Sequence, residues 1–194
     1  MGRLHRRETM DITASPSTAP LLVTAQLPPD VFAWAEGLRR AHFPPERNKV
    51  RAHVTLFHAL PPSVEDEVRR LLARHSAAAP PPARITGLMP LGGGTAFAIK
   101  SAALTAVHED MVECLHGVLT AQDRGRRKLH VTVQNKVSNA EAKALQTELA
   151  RDFRPRAFAF AGLELHRYRG GVWEDAGTWP FRGQRGFPLR GQGG

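Results

Sequence analysis

The chain is 194 residues long and carries 27 Lys plus Arg against 18 Asp plus Glu, a formal net charge of +9 that suits a polyanionic partner such as nucleic acid. That length is one domain's worth, enough to bury a sizeable core. A single cysteine, Cys114, excludes an internal disulfide framework and fits a reducing compartment, and no apolar run approaches the ~18 residues of a membrane span.

Residues 1–20 are rich in Ser, Thr, Arg and Pro and lack an apolar run of signal-peptide length. They are expected to form a disordered tail on a soluble, cytoplasmic, monomeric protein, with Met10 an alternative start. Order is expected from Leu21, where Leu21, Val23, Ala25 and Leu27 alternate as in a half-buried strand that Pro28-Pro29 ends. Asp30 is placed to cap a helix whose Val31, Trp34, Ala35 and Leu38 recur at i, i+3, i+4, i+7, and Pro44-Pro45 stops it. The basic loop Arg47-Asn48-Lys49-Val50-Arg51 then leads into a strand over 52–59 that carries His53-Val54-Thr55-Leu56.

Ser63 is positioned to cap a second helix that starts with Glu65, Asp66 and Glu67, as the helix dipole favours, and buries Val64, Val68, Leu71 and Leu72. Strands over 84–89 and 95–100 pair across Gly92-Gly93-Gly94; no Lys-Ser or Lys-Thr follows these glycines, which excludes a phosphate-cradling loop and any nucleotide cofactor it would hold. A helix over 102–120 is expected to bury Leu104, Val107, Met111, Leu115 and Val118, with Cys114 as a small buried hydrophobe. His108, His116 and Cys114 lie on it without a fourth ligand or a zinc spacing, so no metal is expected. The run Arg124 to Lys128 precedes a strand over 129–137 with His130-Val131-Thr132-Val133. Ser138-Asn139-Ala140-Glu141 is a capping box for a helix burying Ala142, Leu145, Leu149 and Phe153. Strands around 158–160, 163–168 and 172–181 close a domain over 21–182, the last two turning at Gly170-Gly171, and residues 183–194 read as a flexible basic tail.

Both histidine tetrads read His, apolar, Thr, apolar, and a shuffled chain of this composition would hold only about 0.15 such tetrads even with Ser allowed in place of Thr. Alternation in a strand puts each His on one face with its Thr, their Cα atoms roughly 6.6 Å apart. An imidazole can move a proton and a hydroxyl can bind an oxygen, a combination suited to phosphate. On straight strands Phe57 joins the face of His53 and Thr55, where it could stack on a base, and Gln134 joins that of His130 and Thr132, where it could orient substrate. His58 falls on the opposite face and is excluded from catalysis; His5, His42, His75 and His166 read as surface or structural. Arg51, Arg127 and Lys128 are the basic residues nearest the tetrads, with Arg51 and Lys128 taken as substrate-binding. Helix, basic loop, tetrad strand and helix recur in the same order, which implies an α+β protein of two similar halves.

The tetrads, with the wording "RAHVTLFHALPP" and "LHVTVQNKV" and the closing pattern L-x-L-x-x-Y-x-G-G-x-W, resemble the 2H phosphoesterase superfamily of 2′-5′ RNA ligases and cyclic phosphodiesterases over about 21–181. The resemblance implies two lobes related by a pseudo-twofold axis, whose mainly antiparallel sheets form a central cleft with helices outside. It implies a metal-independent, cofactor-free hydrolysis of 2′,3′-cyclic phosphates on RNA ends or nucleotides, with reversible 2′-5′ ligation as a further activity. His53 and His130 would be acid and base, with His130 favoured as base in hydrolysis, and Thr55 and Thr132 would hold the non-bridging oxygens. A non-catalytic RNA-binding protein and a phosphodiesterase of a small nucleotide metabolite are the alternatives.

If the +9 charge serves a polynucleotide, RNA affinity falls steeply with salt through counterion release, while turnover of a cyclic mononucleotide barely changes. Titrating both from low to physiological salt checks this, and equal sensitivity would assign the charge to the surface alone.

Overall fold

The computed structural model describes residues 18–125 and 127–183; apart from 18–20 and 183, the two expected tails lie outside the described residues. Strand β1 (Leu21–Gln26) is buried on both faces, not one, and is an inner strand of its sheet. It lies between β2 (Val54–Leu60) and β7 (Gly162–Arg169), with β8 (Val172–Pro180) beyond. The second sheet has the order β5 (His130–Asn135), β4 (Gly94–Lys100), β3 (Pro82–Pro90), β6 (Arg156–Ala159). Every pairing is antiparallel. The two tetrad strands, β2 and β5, are the edges of their sheets, and there the sheets come together. The architecture is thus the α+β arrangement of paired antiparallel sheets expected from the sequence.

The helices exchange between the halves. Helix α1 (Pro29–His42) precedes β2 yet packs on β5, and its Trp34 meets Phe97 of β4 at 4.8 Å between ring centroids. Conversely, α4 (Ala121–Arg124) precedes β5 but lies against β2, and α3 (Ala102–Cys114), which packs on β3, touches β2 through His108 stacked on Phe57 at 4.9 Å. The helix that follows each tetrad stays with a single sheet: α2 (Glu65–Ser76) against β7 and β8, α5 (Asn139–Asp152) against β3 and β4.

Several local expectations change. Helix α1 starts at Pro29, a residue whose fixed φ suits the first turn, so Asp30 sits inside the helix and does not cap it. Pro62 starts a 3-10 turn through Val64 before α2, leaving Ser63 without a capping role. The helix expected over 102–120 ends at Cys114, followed by a 3-10 turn, and Thr120 then caps α4 by accepting from the Asp123 amide. As a result Val118 is exposed. Cys114 is exposed as well, because it lies off the buried stripe Leu104, His108, Met111, Leu115 and faces Arg74. The capping box at Ser138 and Glu141 forms as expected. No helix among the described residues is long and apolar enough to cross a membrane.

Two buried charges tie the halves together. Arg39 of α1, only 2% exposed, donates through Nη1 to the Thr132 carbonyl (2.8 Å) and through Nη2 to Asn48 Oδ1 (2.7 Å) and the Val50 carbonyl (2.8 Å). Asp123 of α4, fully buried, accepts from the amides of His58 and Ala59 in β2 (3.0 Å each) and from Arg127 Nη2 (2.9 Å). Against the desolvation that opposes ionisation, the His58 ring, 3.3 Å away through Nδ1, and the two amides hold its carboxyl down at about 2. Removing one partner of such a buried set leaves the others unpaired. Asp123→Ala is expected to cost ~3–5 kcal/mol in urea unfolding; a loss below ~1 kcal/mol, the range of exposed ion pairs, would show that the clamp is dispensable.

Candidate functional site

Each tetrad histidine is fixed in the same way. His53 Nδ1 donates to the Arg51 carbonyl (2.7 Å), and His130 Nδ1 donates to the Lys128 carbonyl (2.8 Å). A carbonyl only accepts, so the proton of the neutral ring sits on Nδ1 and each Nε2 keeps its lone pair. Arg51 and Lys128 therefore contribute through their backbones. The Arg51 guanidinium lies over the Phe32 ring at 4.5 Å, and the Lys128 side chain is exposed.

The rings also sense each other. Burial lowers the His53 pKa to about 4, partly offset by the bond to Arg51, with Arg39, His166 and His130 adding charge repulsion. His130 is lowered too, by burial first and then by His58 and Arg127, against the bond to Lys128.

The strands do not continue straight. In β2, Thr55 pairs with Thr24 while Phe57 pairs with Val23, leaving Leu56 as an extra residue. In β5, Thr132 pairs with Ala96 and Gln134 with Thr95, leaving Val133 extra. A bulge of this kind breaks the two-residue alternation. Phe57 accordingly turns into the core, fully buried on His108, and does not share the face of His53 and Thr55. Gln134 turns inward likewise and accepts from the Thr95 hydroxyl at 3.3 Å, away from His130 and Thr132. His58 moves the other way. It is half-buried, sits with Asp123 and Arg127, and lies close enough for its charge to depress His130. The structure thus brings His53 within the electrostatic reach of His130, adds His58 beside His130, and turns Phe57 and Gln134 away from the tetrad face.

Beside His53 is a cavity of about 560 Å³ lined among others by Phe32, Lys49, Arg51, Glu164, His166 and Trp173. The profile of the 2′-5′ RNA ligase superfamily matches residues 27–172, a span that contains both tetrads. The chain belongs to that superfamily. No curated protein sequence matches it at a significant level. Solved structures of similar fold include TT0787 of Thermus thermophilus, 18% identical with a TM-score of 0.53, covering 86% of this chain and 100% of its own. Another is Escherichia coli LigT complexed with 3′-AMP, 16% identical with a TM-score of 0.53, covering 86% and 99%. At these identities the likeness is one of fold, the 2H phosphoesterase fold.

In this superfamily member, the wall of the His53 cavity carries a polar network that strand alternation could have revealed. Glu164 and His166 are two apart on β7, where they pair with Thr178 and Asp175 of β8. The Thr24 hydroxyl lies 3.1 Å from both Glu164 Oε2 and His166 Nε2, and His166 Nδ1 lies 3.0 Å from Asp175 Oδ1. The Trp173 ring lies against both His53 and His166, at 4.5 and 5.3 Å. Reading His166 as merely surface or structural overlooked that pattern. Among the described residues, no group of three or more His, Cys, Asp or Glu is arranged to hold a metal ion.

His53 binds its proton more weakly folded than unfolded, where imidazole titrates near ~6.5. The unfolded chain therefore takes up that proton first on acidification, so the His53 contribution to stability is full above ~6.5 and is lost as pH falls towards about 4. In an NMR titration the His53 ring is expected to titrate near 4, and His53→Gln to flatten the stability slope between these limits. A His53 ring titrating near 6.5 would contradict the desolvated site.

Proposed function

We propose that this chain is a phosphoesterase that opens 2′,3′-cyclic phosphates of RNA-type substrates by acid–base catalysis between His53 and His130, without a metal ion. The observation that carries this reading is the matched pair of imidazoles, each oriented through Nδ1 with Nε2 available for proton transfer. Opposed imidazoles serve in-line displacement at phosphorus, which needs a base on the attacking side and an acid on the leaving side. One histidine takes a proton from water as its oxygen bonds to phosphorus. The other protonates the ribose oxygen as its bond to phosphorus breaks, giving a phosphomonoester. Thr55 and Thr132 hold the non-bridging oxygens as charge builds there. With a ribose 5′-hydroxyl in place of water as the attacking group, the same proton transfers open the cyclic phosphate into a 2′-5′ linkage as the 3′-oxygen leaves, and their reversal cleaves that linkage.

The electrostatics favour His53 as the base in hydrolysis, the reverse of the order favoured by sequence. Its pKa of about 4 keeps its lone pair free, whereas His130 has the smaller depression and is readied as acid by an anionic substrate. A phosphate-binding protein without turnover would use Arg or Lys forks on the phosphate in place of two neutral rings.

The test is an activity panel of cyclic mononucleotides, 2′-5′ dinucleotides and cyclic-phosphate-ended RNA in excess EDTA, with the product isomer identified. Cyclic-phosphate opening is expected to survive chelation. His53→Ala or His130→Ala is expected to cost ~10²–10⁴ in rate, and the double variant little more than the worse single one. Thr55→Ala or Thr132→Ala is expected to cost up to ~10². The pH profile of kcat/KM is expected to be a bell whose limbs belong to the coupled pair, the acid limb near 4. Near-normal rates in a folded His53→Ala or His130→Ala protein would falsify the mechanism, and RNA binding without turnover would leave the binding-protein reading.

A further inference from the structure

A second cavity, of about 550 Å³, adjoins the first and shares Lys49, Val50 and Trp173 with it. Its other lining residues are Glu46, Arg47, Lys136, Tyr168 and Gly171. Three cations thus surround it against one carboxylate, Glu46, which lies 3.7 Å from Arg47 Nε and neutralises little of the excess. Tyr168 is 44% exposed, an aromatic ring left open to solvent at the cavity wall.

The backbone is specialised here too. Lys136, the residue after β5, has φ of 61°, in the left-handed region that lysine rarely adopts. Two hydrogen bonds hold it there: its amide donates to Asn135 Oδ1 (2.8 Å), and its carbonyl accepts from Arg47 Nη1 (3.1 Å). Gly170 and Gly171, with φ of 61° and 101°, make the tight turn that carries Tyr168 and Trp173 to the same place. A cationic loop from one half, a strained lysine from the other and an aromatic hairpin therefore converge next to the His53 cavity.

We infer that this second cavity is a subsite for the neighbouring nucleotide of an RNA strand, its phosphodiester held by Arg47, Lys49 and Lys136 and its base placed against Tyr168. Basic side chains interleaved with aromatic rings are the surface that single-stranded nucleic acid takes, since the charges follow the backbone and the rings accept any base face. The shared wall at Lys49 and Trp173 makes the two cavities one continuous groove. A cyclic mononucleotide fills only the first cavity, whereas an RNA end fills both. This rests on the proposed chemistry for its substrate end, but binding alone also tests it.

The experiment compares wild type with the triple variant Arg47→Ala, Lys136→Asn, Tyr168→Ala, in which Asn tolerates the left-handed backbone. Two substrates are assayed: a 2′,3′-cyclic mononucleotide and a tetranucleotide ending in a 2′,3′-cyclic phosphate. Binding of a fluorescent 3′-phosphorylated tetranucleotide is followed by anisotropy across salt. The variant is expected to keep mononucleotide turnover within about twofold, lose at least about tenfold in kcat/KM on the tetranucleotide, and show a salt slope smaller by ~1.4 for two lost phosphate contacts. Tyr168→Phe alone, which keeps the ring, is expected to retain wild-type tetranucleotide binding. Equal losses on both substrates, or tetranucleotide binding and salt slope unchanged, would overturn the subsite. If wild type turns over neither substrate but the variant still loses tetranucleotide affinity, the subsite stands and the proposed chemistry falls.

Discussion

The position of each tetrad depends on a buried charge supplied by the opposite half. Arg39 lies on the helix that leads into the first tetrad, yet it grips the backbone of the second at Thr132. Asp123 lies just before the second tetrad, yet it grips the backbone after the first at His58 and Ala59. Burying either charge is costly unless it is fully bonded, so the two motif strands are held in register by groups that cannot let go cheaply. Helix exchange follows the same logic: α1 reaches β5 and α4 reaches β2, so neither half can form its motif strand in final geometry without the other.

Around this symmetric frame the surroundings are unequal. Across from Thr55 the inner strand offers Thr24 and then Glu164, whereas across from Thr132 it offers Ala96 and then Met89. One half thus supplies hydroxyl and carboxylate where its counterpart supplies methyl and thioether. The two histidines, with identical backbone anchors, also differ in what lowers their basicity: burial, Arg39, His166 and His130 take His53 to about 4, whereas burial, His58 and Arg127 lower His130. The proposed division of acid and base roles rests on this imperfect duplication.

Sequence periodicity made the elements and both tetrads legible, since each lies in an alternating run between turn residues. It failed at Phe57, Gln134 and His58 because alternation assumes one residue per partner, and Leu56 and Val133 are each a residue in excess. Nothing local to those residues announces a bulge. Arg39 was more readable: it occupies the buried stripe Val31, Ala35, Arg39, where a charge demands a partner. Which partner it finds depends on the exchange of helices, a long-range fact. Asp123 showed no such stripe, because α4 is only four residues long.

The paired bulges also bear on edge-to-edge strand pairing. Strands β2 and β5 are sheet edges brought side by side, and two straight edges in that position could zip into one eight-stranded sheet or recruit a strand from another molecule. An extra residue in each interrupts the row of free donors and acceptors just beyond the threonines and twists it away. The same irregularity that sends His58 towards His130 thus keeps the edges from acting as templates for aggregation, so a single-residue deletion at Leu56 or Val133 would threaten solubility as well as chemistry.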